Sequence, residues 1–133
     1  MSGNFMTQEN SRVNNLQGIQ DDFKRLKLVV NQSPSAVVIT DSNGTIEFAN
    51  RKFFLLSGYS FDEVKGKNIS MLNSRQKSKE FYDNMWKELM QGSDWKGEFR
   101  NRRKNGETYW VLASVSPYFD NNGAISHFIG ILE

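Results

Sequence analysis

The sequence predicts an α+β domain, a five-stranded antiparallel sheet with flanking short helices and an N-terminal helix. Three observations lead there. Asn-Gly pairs stand at Asn43-Gly44, Asn105-Gly106 and Asn122-Gly123, each between runs rich in Val, Ile, Phe, Tyr or Trp. A tight hairpin turn needs positive φ, which Asn and Gly accept at least cost, so each pair reads as a hairpin. Between the first hairpin and the last three strands lie about forty-five residues, too many for a plain loop in a compact domain. Apolar residues at helical spacing also precede the Ser33-Pro34 break.

In chain order, the polar residues 1–15 are expected to form a mobile tail. Residues 16–30 follow as an amphipathic helix, with Leu16, Ile19, Phe23, Leu26, Val29 and Val30 at helical spacing. The first hairpin joins residues 36–40 to 45–49. Asn50 is placed to cap a helix over Arg51–Ser57, which Gly58 closes. Ser60 and Glu63 have capping-box spacing for a short turn ending near Gly66. The longer helix covers residues 78–90, with Phe81, Tyr82, Met85, Trp86, Leu89 and Met90 on one face and Lys79, Glu80, Asp83, Lys87 and Glu88 elsewhere. Gly92 stops it. The second hairpin joins residues 95–104 to Thr108–Phe119, and the third joins that strand to Ile125–Leu132.

Composition bounds the function. A chain of 133 residues fits one domain, and its ten Phe, four Tyr and three Trp supply filler for one core. A hydrophobic content of 38% argues against a disordered chain. There is no cysteine, which removes disulfides, thiolate metal sites, Cys nucleophiles and flavin-cysteinyl adducts, and suits a reducing cytoplasm. No stretch approaches the roughly 20 apolar residues of a membrane span, and the N-terminus lacks the apolar region of a signal peptide. A soluble chain is expected. The net charge of +2 gives no reason to expect nucleic acid. The one basic run, Arg100, Arg102, Arg103 and Lys104, reads either as the wet side and end of a strand or as a phosphate-binding patch.

Alternation in the strand starting at Trp95 sets Trp95, Gly97, Phe99 and Asn101 on one face and Lys96, Glu98, Arg100, Arg102 and Lys104 on the other. Asn101 is therefore predicted to point inward. An amide facing an apolar interior costs about 1–3 kcal/mol unless it is bonded. Its partner is either a ligand or one of water, a backbone group, Ser114 and Ser116. The last strand is apolar on both parities, so both its faces are expected to be covered. One cover is the connector helices. The other is the N-terminal helix, from the same chain or from a second subunit, and the second case is a homodimer. The single histidine, His127, points away from the interior if Phe128 and Leu132 face it. No second His or Cys completes a metal site, no Ser stands in a nucleophile-elbow context, phosphate loops are missing, and the carboxylates are scattered. No metal site and no enzyme activity are expected.

The runs SPSAVVITDSNGTIEFANRKFFLLSGYSFDEVKGKN and WKGEFRNRRKNGETYWVLASVSPYFDNNGAISHFIGILE resemble a PAS domain, over residues 31–133. The resemblance implies a five-stranded antiparallel sheet and a helical layer enclosing a small cavity. It also implies a sensory module that controls an effector domain, so the chain is expected to be one piece of a longer signalling protein. Light-sensing LOV domains resemble it at GKNISMLN, but Ile69 holds the place of their reactive cysteine, and Val111 and Leu132 replace two polar flavin contacts, whereas Asn101 matches a third. Haem-binding PAS domains often carry an axial His on the long helix, and residues 78–90 contain none, so no haem is expected. The nearest resemblance is to FAD-binding PAS domains of bacterial redox and aerotaxis sensors, at Trp95, Gly97 and the run from Asn101 to Gly106. It implies noncovalent FAD and makes Asn101, Trp95, Phe99 and Asn73 the candidate cofactor contacts. The alternative is a cofactor-free interaction module whose core serves dimerisation.

Overall fold

The computed structural model describes residues 2–74 and 77–133, and side chains from residue 14 onward. Two compact units divide the chain after Gln32. The first is one helix, α1 (Ser2–Asn31). Helical backbone thus runs back through the stretch predicted as a mobile tail, of which residue 1 and the side chains of residues 2–13 lie outside the described residues. No proline precedes Pro34, so nothing interrupts the helical hydrogen bonds until the Ser33-Pro34 break. Its final turn is closed by the Gln32 N–H, which donates to the Leu28 and Val29 carbonyls at 3.1 Å. Leu16, Ile19, Phe23, Leu26 and Val29 are exposed on this helix.

The second unit begins with β1 (Ala36–Asp41) and β2 (Ile46–Ala49). Their turn is built by Asp41, whose Oδ1 accepts from the N–H groups of Asn43 and Thr45, both at 2.9 Å. Gly44 supplies the positive φ of +86° that the Asn-Gly signal anticipates. Helix α2 (Arg51–Ser57) follows directly. Its cap, Asn50, is fully buried: Oδ1 accepts from Phe53 N at 3.1 Å and Val37 N at 2.8 Å, and Nδ2 donates to Ser35 O at 3.0 Å. One side chain thus ties the start of α2 to β1. Gly58, in the left-handed conformation, ends the helix.

Helix α3 (Phe61–Val64) carries the predicted capping box between Ser60 and Glu63. A 3₁₀ turn at Ile69–Leu72, absent from the sequence expectation, leads toward α4 (Lys79–Met90), capped by Ser78. Met85 and Leu89 of α4 are buried, and Phe81, Tyr82 and Trp86 pack against the core. Met90 departs from the predicted face, being 62% exposed.

Strands β3 (Trp95–Arg102), β4 (Thr108–Phe119) and β5 (Ile125–Leu132) complete an antiparallel sheet in the order β2-β1-β5-β4-β3. The two remaining hairpins fall where the Asn-Gly pairs place them. The inner face carries Val38, Trp95, Val111, Ala113, Phe128 and Leu132. On the outer face Trp110, Leu112, Tyr118 and Ile131 are exposed. The basic run ends against the helices: the Lys104 N–H donates to Ser57 O at 2.9 Å, the Arg103 guanidinium donates to Leu56 O, and Lys104 pairs with Glu63. These cations sit at the carbonyl end of α2, where the helix dipole favours positive charge.

Candidate functional site

The inner face of the sheet, α4 and the 3₁₀ turn line a partly open cavity of about 540 Å³. This lies within the ordinary range for small-molecule sites. Much of the wall is apolar, including Val38, Leu72, Met85, Leu89, Phe128 and Leu132. Polar side chains enter in two places. Asn43, Asn68 and Ser70 stand by the β1–β2 turn, where Asn68 Nδ2 donates to Asn43 O at 3.0 Å and its Oδ1 accepts from Ser70 N at 3.0 Å. Asn73, Tyr82 and Asn101 form the second group.

Backbone pairing brings that second group together. Asn73, just after the 3₁₀ turn, makes an isolated antiparallel bridge with Asn101 of β3. Two amides distant in sequence therefore reach one end of the cavity. Asn101 is buried, and Tyr109 stands opposite it in the β3–β4 register. Burial raises the Tyr109 phenol above its ordinary pKa, with the Arg103 cation and the Asn101 amide acting in the opposite direction. The sequence offered Ser114 and Ser116 as partners for Asn101, but Ser114 faces Lys96 and Ser116 faces Ile129 in the ladders, far along the strand. The Arg103 guanidinium lies 4.1 Å from the centre of the Tyr109 ring, stacking behind the pair.

Phe99 also lines the cavity and stacks on Tyr82, with ring centres 6.1 Å apart and planes 16° from parallel. Trp95 does not reach the wall. Its indole folds back over Gly97, where a side chain would overlap it, and meets Phe81 at 5.6 Å and Phe99 at 5.2 Å. Of the four residues singled out in the sequence, the structure brings Asn73, Phe99 and Asn101 to the cavity and leaves Trp95 behind Phe99. Ile69 and Leu132, at two positions where LOV domains place flavin-contacting residues, line the wall, whereas Val111 is buried elsewhere in the core.

Sequence reasoning assigned Tyr82 to the apolar face of α4 and missed its other end. The Tyr82 hydroxyl is shut off from solvent and makes no hydrogen bond among the described residues. Burial raises its pKa, eased by the Asn73 side chain, which lies near without reaching bonding geometry. The polar tip of an aromatic residue at the cavity-facing positions of a helix is the signal that could have found it. His127 points away from the cavity, as its strand parity predicts. Its Nε2 lies 3.1 Å from Glu47 Oε2 and its Nδ1 2.8 Å from Ser126 Oγ.

A family model described as a PAS domain matches residues 34–133. The nitrogen fixation regulatory protein of Klebsiella oxytoca is 31% identical over 103 residues, covering 77% of this chain and 21% of that protein. The aerotaxis receptor of Escherichia coli (strain K12) is 37% identical over 92 residues, covering 69% of this chain and 18% of the receptor. The chain thus spans about a fifth of the length of these relatives. Among solved structures, a Light-Oxygen-Voltage domain whose mechanism was studied with a flavin analogue superposes with a TM-score of 0.71 at 25% identity, covering 82% of this chain and 83% of that one.

Proposed function

Because the chain belongs to the PAS domain family, we propose that it is a cytoplasmic sensory input domain of a longer signalling protein, holding FAD noncovalently and responding to its redox state. The observation that carries this reading is the polar end of an otherwise apolar cavity, where Asn73, Asn101 and a buried, unbonded Tyr82 hydroxyl converge. A buried polar atom without a partner is costly, and a ligand edge that supplies one removes the cost. The donor set fits a flavin. Asn101 and Asn73 carry both donors and acceptors for a pyrimidine edge, and Phe99, Ile69 and Leu132 offer apolar surface to a fused ring.

When bound, FAD would supply reversible electron transfer. The chain's own residues hold the ring, keep water from much of it and register a change of hydrogen bonding at Asn101. Through Tyr109 and the β3–β4 ladder such a change reaches the rest of the sheet. No helix among the described residues is long and apolar enough to cross a membrane.

A second role, in dimerisation, is favoured by the outer sheet face. Trp110, Leu112, Tyr118 and Ile131 are exposed there. Pairing with a second copy of the chain, through this face and the apolar stripe of α1, would bury them. In a cofactor-free module this is the whole function.

An absorption spectrum of protein purified without added cofactor, then heat release and chromatography of any chromophore, separates the two readings. Oxidised-flavin bands with released FAD support the sensor. A protein that stays colourless after incubation with FAD leaves the dimerisation module.

A further inference from the structure

The ring contacts of Tyr82 do not use its buried hydroxyl. Tyr82 packs its ring against Phe81 and Phe99, and a phenylalanine would make the same ring contacts. What tyrosine adds is an oxygen closed off from solvent and without a hydrogen bond among the described residues. It is the one buried side-chain polar atom there in that condition. Native interiors pair such atoms, and the cost of leaving one unpaired is borne where a further partner arrives. Tyr82 lines the cavity beside Asn73, whose backbone bridges to Asn101.

We infer that the Tyr82 hydroxyl is a ligand contact, donating a hydrogen bond to an acceptor on the edge of the molecule that fills the cavity. The inference rests on the flavin reading and deepens it. The occupant is a planar heteroaromatic with a carbonyl or ring-nitrogen acceptor at the edge that meets Asn73 and Asn101. A purely hydrocarbon occupant leaves the hydroxyl unpaired and binds less well. Phenol and amides also divide the work: Tyr82 brings one fixed donor, whereas each amide can donate and accept.

The test uses the full chain and its Tyr82→Phe variant, with FAD as the probe. In the cofactor-free state Tyr82→Phe removes an unpaired polar atom, so the variant unfolds at the same urea concentration as the parent or a higher one. With FAD the order reverses. The variant binds about five- to a hundredfold more weakly, the penalty for a buried acceptor left without its donor. Equal FAD affinity in parent and variant overturns the assignment, as does a less stable cofactor-free variant, since the hydroxyl would then have an internal partner. If the parent takes up no FAD, the flavin reading falls by itself. The cofactor-free comparison still decides Tyr82: lost stability overturns the contact, and equal or greater stability sustains it.

Discussion

Asn101 and Tyr109 stand opposite each other across the β3–β4 ladder, and the amide of the first acts on the hydroxyl of the second. Burial raises the Tyr109 phenol above its ordinary pKa, and the Asn101 side chain facing it opposes that rise. Asn101 also lines the cavity. Asn101→Ala removes both functions. FAD affinity is expected to fall about tenfold or more, read by fluorescence titration, while far-UV circular dichroism keeps the sheet signature. Unchanged flavin content would remove Asn101 from the site.

Arg103 ties this pair to α2, since its guanidinium stacks on Tyr109 and donates to the Leu56 carbonyl. Arg103→Ala should cost about 1–2 kcal/mol in urea unfolding, from one charge-assisted bond and one cation–π contact in a partly exposed setting. Arg103→Lys should recover little of it, because an ammonium lacks the planar stacking surface. Full recovery by lysine would show that charge alone matters.

The fully buried side chain of Asn50 bonds to Val37 N, Phe53 N and Ser35 O. Asn50→Ala leaves the Val37 and Phe53 N–H groups and the Ser35 carbonyl without this partner. The expected loss is about 3 kcal/mol, more than a solvent-exposed helix cap contributes. Asn50→Asp preserves the two acceptor bonds and should lie between. Chemical denaturation measures both, and a loss below that of an exposed cap would refute the stitching role.

Gly97 lies beneath Trp95, and a Cβ there would overlap the indole. Gly97→Ala should therefore displace Trp95 from Phe81 and Phe99, costing about 1–3 kcal/mol as an overpacked core does. The tryptophan emission maximum should move to longer wavelength as an indole becomes more exposed. An unshifted spectrum with unchanged stability would mean that the indole has another resting place.

Asp41 is held below the ordinary carboxylate pKa chiefly by the backbone N–H of Thr45; desolvation opposes this, and the backbone N–H of Asn43 adds a smaller lowering effect. A depressed folded-state pKa means that the carboxylate stabilises the fold above its unfolded value, about 3.9. That contribution is lost as pH falls through the lower folded value. Asp41→Asn keeps an acceptor oxygen for the turn and should flatten the acid limb of a stability-against-pH curve. An identical acid limb in the two proteins would rule out this group as its source.

Features specified by neighbouring residues were legible in the sequence. Asn-Gly turns, the Ser60–Glu63 box and the Asn50 and Gly58 caps each follow from residues a few positions apart, and all appear where expected. The inward aim of Asn101 followed from strand alternation. Other features depend on what a neighbouring segment does. The pairing of Asn73 with Asn101 is made by one isolated bridge between remote segments, and Ile69–Leu72 is too short to show a period. Parity set Trp95 on the inner face but could not reveal that a missing Cβ at Gly97 lets the indole lie along its own strand. Helical spacing grouped Met90 with the buried residues although the last turn of α4 leaves it in solvent.

The first and last strands in chain order, β1 and β5, are also immediate neighbours, with Ala36 opposite Leu132. Entry and exit of the polypeptide are thus separated by roughly the 5 Å between adjacent strands. A unit of this kind can be spliced into a host chain like a bead on a thread, scarcely disturbing the path of the backbone on either side. Mechanically, β1 and β5 share one anchorage, so a load on either strand is carried directly by the ladder between them.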